Sequence, residues 1–150
     1  MRKTPIRIGL VQMSMVADRA ANFDKAVALA WRAREEGAEI IALPELFAGP
    51  YFAQHERRDN FALAEPIPGP GTWALAALAK GLGAVLIGSL FELVQPGLAF
   101  NTAVVFERDG TLLGRSRKAH IPEFPCYYEK YCNRSVGLPR AAEEEEAEGT

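Results

Sequence analysis

Apolar residues along this chain come in short blocks whose period changes from block to block. Ile6-Arg7-Ile8-Gly9-Leu10-Val11-Gln12-Met13 is an apolar-rich run with β-branched residues and predicts a buried strand. Phe23, Ala26, Val27 and Ala30 then recur at helical spacing, with Asp24, Lys25, Arg32 and Arg34 on other faces. Asp18 or Asn22 can cap that helix, and Gly37 ends it. Ile40-Ile41-Ala42-Leu43 predicts a second buried strand, cut off by Pro44. Strand, helix and strand in so short a span form a βαβ unit, hence a parallel pair with a right-handed crossover.

From Ala48 to Gly71 the prolines and glycines predict a long loop with one helical turn at most. Thr72 can cap a second helix running through Ala79, closed by Gly81 and Gly83. Ala84 to Phe91 reads as a third strand and, after the Gln95-Pro96-Gly97 turn, Asn101 to Phe106 as a fourth. Arg108-Asp109-Gly110 is a hairpin turn into Thr111 to Arg115. The expected class is α/β, with a mixed sheet that is parallel first and antiparallel later, and helices on one face. Past His120 the chain reads as an aromatic loop. From residue 132 onward there is no period, only a divergent tail ending near four consecutive glutamates, Glu143 to Glu146, which predicts a disordered acidic segment. The change of character near Cys132 is abrupt enough to suggest a shifted reading frame.

Composition removes several function classes. Seventeen Lys+Arg against 19 Asp+Glu leave a net charge of −2, without the basic excess that nucleic-acid binding needs. No apolar stretch approaches the length that crosses a bilayer, and the start of the chain has no signal-peptide core, so no membrane association and a cytoplasmic location are expected. Cys126 and Cys132 do not form a CxxC pair, and no Cys/His group has zinc spacing. Neither a disulfide framework, a metal nor a cofactor is expected.

Three residues are candidates for chemistry. Glu45, in Leu43-Pro44-Glu45-Leu46-Phe47, follows a buried strand, and ligands of open α/β sheets bind at strand carboxyl ends. Lys118 follows the hairpin strand in Arg117-Lys118-Ala119-His120-Ile121-Pro122, and Glu129 lies in Tyr127-Tyr128-Glu129-Lys130. Taken singly, each is most simply a solvated charge.

Together these segments resemble the nitrilase superfamily of carbon–nitrogen hydrolases. The linking sequences agree as well: Gly9-Leu10-Val11-Gln12-Met13, Pro68-Gly69-Pro70 and Asn101-Thr102-Ala103-Val104-Val105. Within the superfamily, Phe47-Ala48-Gly49-Pro50-Tyr51-Phe52-Ala53-Gln54 looks most like the N-carbamoylputrescine amidase branch. The resemblance implies a four-layer αββα sandwich built from two related halves, of which residues 1–131 are the first, a truncated carbon–nitrogen hydrolase domain. It implies hydrolysis of an amide or ureido bond in a small-molecule substrate, N-carbamoylputrescine in polyamine synthesis first among them, with a carbamoyl-amino-acid hydrolase or simple amidase as related options. Glu45 then corresponds to the family's general base and acid, Lys118 to its oxyanion-stabilising lysine and Glu129 to its supporting carboxylate. The family's nucleophilic cysteine ends a further strand that this sequence lacks, and neither Cys126 nor Cys132 follows an apolar run. A non-catalytic fragment or binding module is therefore the rival expectation. The family forms homo-oligomers through surfaces that include segments absent here, so the same assembly is not expected of this chain.

Overall fold

The blocks read in the sequence become a five-stranded sheet backed by two helices in a computed structural model, which describes residues 5–132. Strand β1 (Ile8–Leu10) is followed by α1 (Arg19–Glu35), β2 (Ile40–Ala42), α2 (Pro70–Leu82), β3 (Val85–Gln95), β4 (Leu98–Phe106) and β5 (Leu112–Arg117). The strands lie in sequence order: β1, β2 and β3 run parallel, β4 runs antiparallel to β3, and β5 runs antiparallel to β4. Two right-handed crossovers taken in the same direction put both helices on one face. There Ala26 and Ala30 of α1, Leu75 and Ala79 of α2, and Ile41, Leu86, Leu90 and Val104 of the sheet form the main core.

The local chemistry of each element decides its limits. Asp18, not Asn22, caps α1: its carboxylate accepts the amides of Ala20 and Ala21 at 2.9 and 3.3 Å. Asn22 is instead buried one turn in, where its side chain binds the backbone of Val16 and the carbonyl of Ala48. Gly37 takes the left-handed conformation that stops the helix, with φ 92°. Helix α2 begins at Pro70, earlier than expected, because proline at a first helical position gives up an amide that would have no partner. Thr72 then sits in the first turn and its hydroxyl accepts the Gly69 amide at 2.7 Å.

Strand β1 departs from the sequence reading in length and burial. Its partner β2 is only three residues long, so the ladder cannot extend through the apolar run on either side. Gly9 faces α1, where an added Cβ would come within 2.9 Å of Ala33 Cβ, while Ile8 and Leu10 point to the face without helices and are 59% and 78% exposed. The long loop holds two 3-10 turns, Phe52–Gln54 and Arg58–Leu63, rather than one. Both hairpin strands outrun their apolar cores. Arg115 and Arg117 converge with the Thr102 hydroxyl on the buried carboxylate of Glu92.

After His120 the expected loop is a tight hairpin, β6 (Glu123–Phe124) and β7 (Tyr127–Tyr128), leading into a single helical turn, α3 (Glu129–Cys132). Pro125 and Cys126 make the two-residue turn, and Cys126 is exposed with φ 69°. The acidic tail lies outside the described residues. Among the described residues no helix is long and apolar enough to cross a membrane.

Candidate active site

Glu45 owes its position to the way β2 stops. Pro44 cannot continue the ladder, and Leu46 turns the backbone sharply with φ 49°, in the left-handed region that disfavours a branched side chain by roughly 1–2 kcal/mol. Burial of Leu46 against Phe91 and Ala99, and of Phe47 in the main core, offsets that strain. The Glu45 carboxylate, just before them in the chain, is left at the strand end, 55% exposed.

Lys118 arrives from the far side of the sheet as the residue after β5. Its amide donates to the carbonyl of Asn101 at 2.8 Å, which extends the β4–β5 ladder by one rung and aims the side chain over the sheet. Its ammonium lies 2.9 Å from Glu45 Oε1 and 3.1 and 3.0 Å from the two oxygens of Glu129. Three contacts match the three N–H groups of a lysine. Burial alone would lower the Lys118 pKa, but the hydrogen bonds that it donates to Glu45 and Glu129 outweigh it and hold the group above its ordinary value. Glu129, expected on the surface, is 2% exposed because α3 turns it inward against the loop that carries Tyr51. The Tyr51 hydroxyl donates to Glu129 Oε1 at 2.8 Å. Burial first, and then that hydrogen bond, push the phenol well above its usual range, so it stays a donor.

The structure therefore brings together the three residues singled out in the sequence. It adds Tyr51, Asn101 and Ser89, which the sequence reading quoted as segment matches or as strand and gave no role. Asn101 Nδ2 donates to Glu45 Oε1, and Ser89 Oγ donates to Asn101 Oδ1 at 3.1 Å. The available signal was Asn101 itself, a polar residue leading an apolar strand and 4% exposed.

Glu45, Asn101 and Lys118 line a cleft of about 410 Å³ with Leu43, Ile87, Ser89 and Ser116 in its walls. Ile87 and Ser89 alternate with the helix-facing Leu86 and Leu90, so the cleft opens on the face of the sheet that the helices leave bare. A somewhat larger apolar cavity, about 450 Å³, lies beneath the 48–65 loop beside Leu46 and Phe91. Its charged residues are already engaged, Arg19 with Glu65 and Arg57 with Asp59. The chemistry belongs to the smaller cleft, which is lined by the Glu45 carboxylate and by Lys118, with Glu129 behind the ammonium. Such a set can take a proton at one atom and oppose negative charge at another.

Residues 7–146 match the carbon–nitrogen hydrolase model, and the chain belongs to that family. The match runs on past Tyr131, where the recognisable motifs stop. The chain is 38% identical over 127 residues to the N-carbamoylputrescine amidase of Solanum lycopersicum, an alignment covering 84% of this chain and 42% of that protein. It is 39% identical over 115 residues to omega-amidase NIT2-B of Xenopus laevis, covering 77% and 40%. A carbon–nitrogen hydrolase structure from Helicobacter pylori G27 superposes with a TM-score of 0.84 at 35% identity, over 89% of this chain and 46% of that one. The amidase of Nesterenkonia sp., at 24% identity and a TM-score of 0.76, shares the fold. The chain thus spans under half the length of the curated relatives it matches.

Proposed function

We propose that this chain carries the base and oxyanion half of a site that hydrolyses amide or ureido carbon–nitrogen bonds, and that neither Cys126 nor Cys132 is its nucleophile. The observation that supports this best is the Lys118 ammonium held between Glu45 and Glu129 in a strand-end cleft. In the reaction, a thiol attacks the substrate carbonyl: the S–H bond breaks, the S–C bond forms, and Glu45 takes the proton. Lys118 balances the charge on the tetrahedral oxygen. Glu45 then delivers its proton to the departing nitrogen as the C–N bond breaks, draws a proton from the water whose oxygen bonds the acyl carbon, and returns that proton to the sulfur as the S–C bond breaks. Glu129 keeps Lys118 charged throughout.

N-carbamoylputrescine is the first substrate to test, on the likeness of Phe47 to Gln54 to that branch and of the chain to the tomato enzyme. Omega-amide substrates stand next, because the similarity to omega-amidases is equal. On this reading the chain serves polyamine synthesis in the cytoplasm. The second reading, a non-catalytic fragment, is favoured by the share of its relatives' length that the chain spans and by the place of Cys126 at an exposed hairpin tip. Ammonia release from N-carbamoylputrescine separates the two. The 150-residue chain should give none, whereas a chain joined to the remaining length of a curated relative should release ammonia and lose that activity with Glu45→Gln. Turnover by the chain alone that vanishes in Cys126→Ala or Cys132→Ala would overturn the proposal about the cysteines.

A further inference from the structure

Asn101 is tied at three points, and each of them concerns the site. Its side-chain oxygen accepts the Ser89 hydroxyl at 3.1 Å, its side-chain nitrogen donates to Glu45 Oε1, and its backbone carbonyl accepts the Lys118 amide at 2.8 Å. The orientation of the amide follows from charge. Turned the other way, its oxygen would face a carboxylate oxygen with no proton between them. Ser89 faces Asn101 from the neighbouring strand, where β3 and β4 pair Ser89 with Ala103 and Phe91 with Asn101. The Lys118 ammonium meets the same oxygen, Oε1, at 2.9 Å. Both donors therefore converge on one oxygen of Glu45, and among the described residues no donor meets Oε2.

We propose that Asn101, oriented by Ser89, is a positioning residue that registers Glu45 against Lys118 and leaves Oε2 as the oxygen that collects the proton. The inference rests on the proposed role of Glu45 as the base. An oxygen already accepting two hydrogen bonds is a poor proton acceptor, because protonation must break one of them. Its twin, on a side chain that lines the cleft, meets no donor among the described residues. Without Asn101, a carboxylate 55% exposed would turn about its last bond and exchange the two oxygens, so that Lys118 and the attacking group would compete for one atom. One residue thus fixes the base through its side chain and the ammonium through its main chain. Ser89 acts one step further out, by holding the amide.

The test uses the whole 150-residue chain with nitrogen-15 lysine, and follows exchange of the Lys118 ammonium protons with solvent by magnetic resonance. Lys118→Arg assigns the signal. Glu45→Gln should speed exchange by up to about tenfold, the scale of one charge-assisted hydrogen bond. Asn101→Leu, which keeps the size and removes the amide, should reproduce most of that increase, and Ser89→Ala a smaller part in the same direction. If Glu45→Gln raises the rate while Asn101→Leu leaves it at the wild-type value, Asn101 does not position Glu45 and the inference falls alone. If Glu45→Gln changes nothing, the Glu45–Lys118 pairing and the function built on it fall as well. Should Asn101→Leu not fold, Ser89→Ala decides: a wild-type rate there overturns the proposal.

Discussion

Replacing Glu92 by glutamine tests whether the far side of the sheet holds Lys118 in place. Glu92 is 2% exposed and accepts four hydrogen bonds: two from Arg117, one from Arg115 and one from the Thr102 hydroxyl, all at 2.7–2.8 Å. The arginines come from β5 and the threonine from β4, so one carboxylate clamps three strands just before the chain reaches Lys118. Glutamine keeps the shape but removes the charge and points an N–H at a guanidinium or at the hydroxyl. Arg115 and Arg117 are 44% and 28% exposed, so each ion pair is screened and contributes well under about 1 kcal/mol. The misdirected amide adds about 1–2 kcal/mol. The expected loss is about 2–3 kcal/mol, or roughly 8–12 °C in melting temperature for a domain of this size.

The assay is urea unfolding followed by far-ultraviolet circular dichroism. Trp31 and Trp73 are 42% and 65% exposed and would report the core poorly. The acid side of the measurement is the sharper one. Burial would raise the Glu92 pKa, but Arg117, Thr102 and Arg115 together bring it below the ordinary glutamate value of 4.5. A depressed carboxyl contributes stability above its unfolded pKa and loses it as pH falls through the folded one. The gap between wild type and Glu92→Gln should stay constant from neutral pH to about 5.5, then narrow below 4.5 and close. Equal stabilities at pH 7, or a gap unchanged by acid, would refute the clamp.

Phe47→Ala empties a site with no solvent exposure beside Phe23 and should cost about 3–5 kcal/mol, a large share of a small domain's stability; a loss under about 1 kcal/mol in the same urea assay would contradict the packing described here. Leu10→Lys, on an edge strand where the leucine is 78% exposed, should reduce concentration-dependent self-association measured by light scattering, with no loss of helix signal; unchanged scattering would show that this face is not the adhesive one. Tyr51→Phe removes the hydroxyl that donates to Glu129 and should cost about 1 kcal/mol while loosening Glu129, seen as faster exchange of its backbone amide; equal protection would mean that Tyr51 does not hold α3.

The sequence carried the helix α1, the parallel start of the sheet and the antiparallel end, because each depends on local period and local punctuation. Gly37 is legible for the same reason, and the cap narrows to Asp18 or Asn22: a cap and a stop act within a few residues of themselves. What local pattern could not supply was direction. Ile8 and Leu10 read as buried because they are apolar, yet strand alternation turns them away from α1 once Gly9 is fixed against Ala33. Local pattern gives Arg115 and Arg117 no partner, because Glu92 lies more than twenty residues earlier and only the β3–β4–β5 ladder brings it near. The site follows the same division. Glu45, Lys118 and Glu129 stood out through resemblance, whereas Tyr51, Asn101 and Ser89 gained meaning only when 78, 56 and 12 residues of separation were closed by folding.

The two carboxylates around Lys118 are not duplicates, and their exposures show why both are needed on the proposed reading. Glu45 is 55% exposed and can trade protons with a ligand, whereas the Glu129 side chain is 3% exposed and faces only Lys118 and Tyr51. Once Glu45 takes a proton it becomes neutral, and a lysine with a single counter-ion would be left partly buried and unbalanced at the step when its charge matters most. Burial would then favour giving up the ammonium proton. Glu129 prevents this, because its charge stays beside Lys118 whatever Glu45 does, and the Tyr51 phenol keeps that carboxylate in place without competing for the role of acid. The mobile proton and the fixed charge are thus divided between an exposed and a buried carboxylate. The division is built by a strand end, a hairpin end and one turn of helix, all within the described residues.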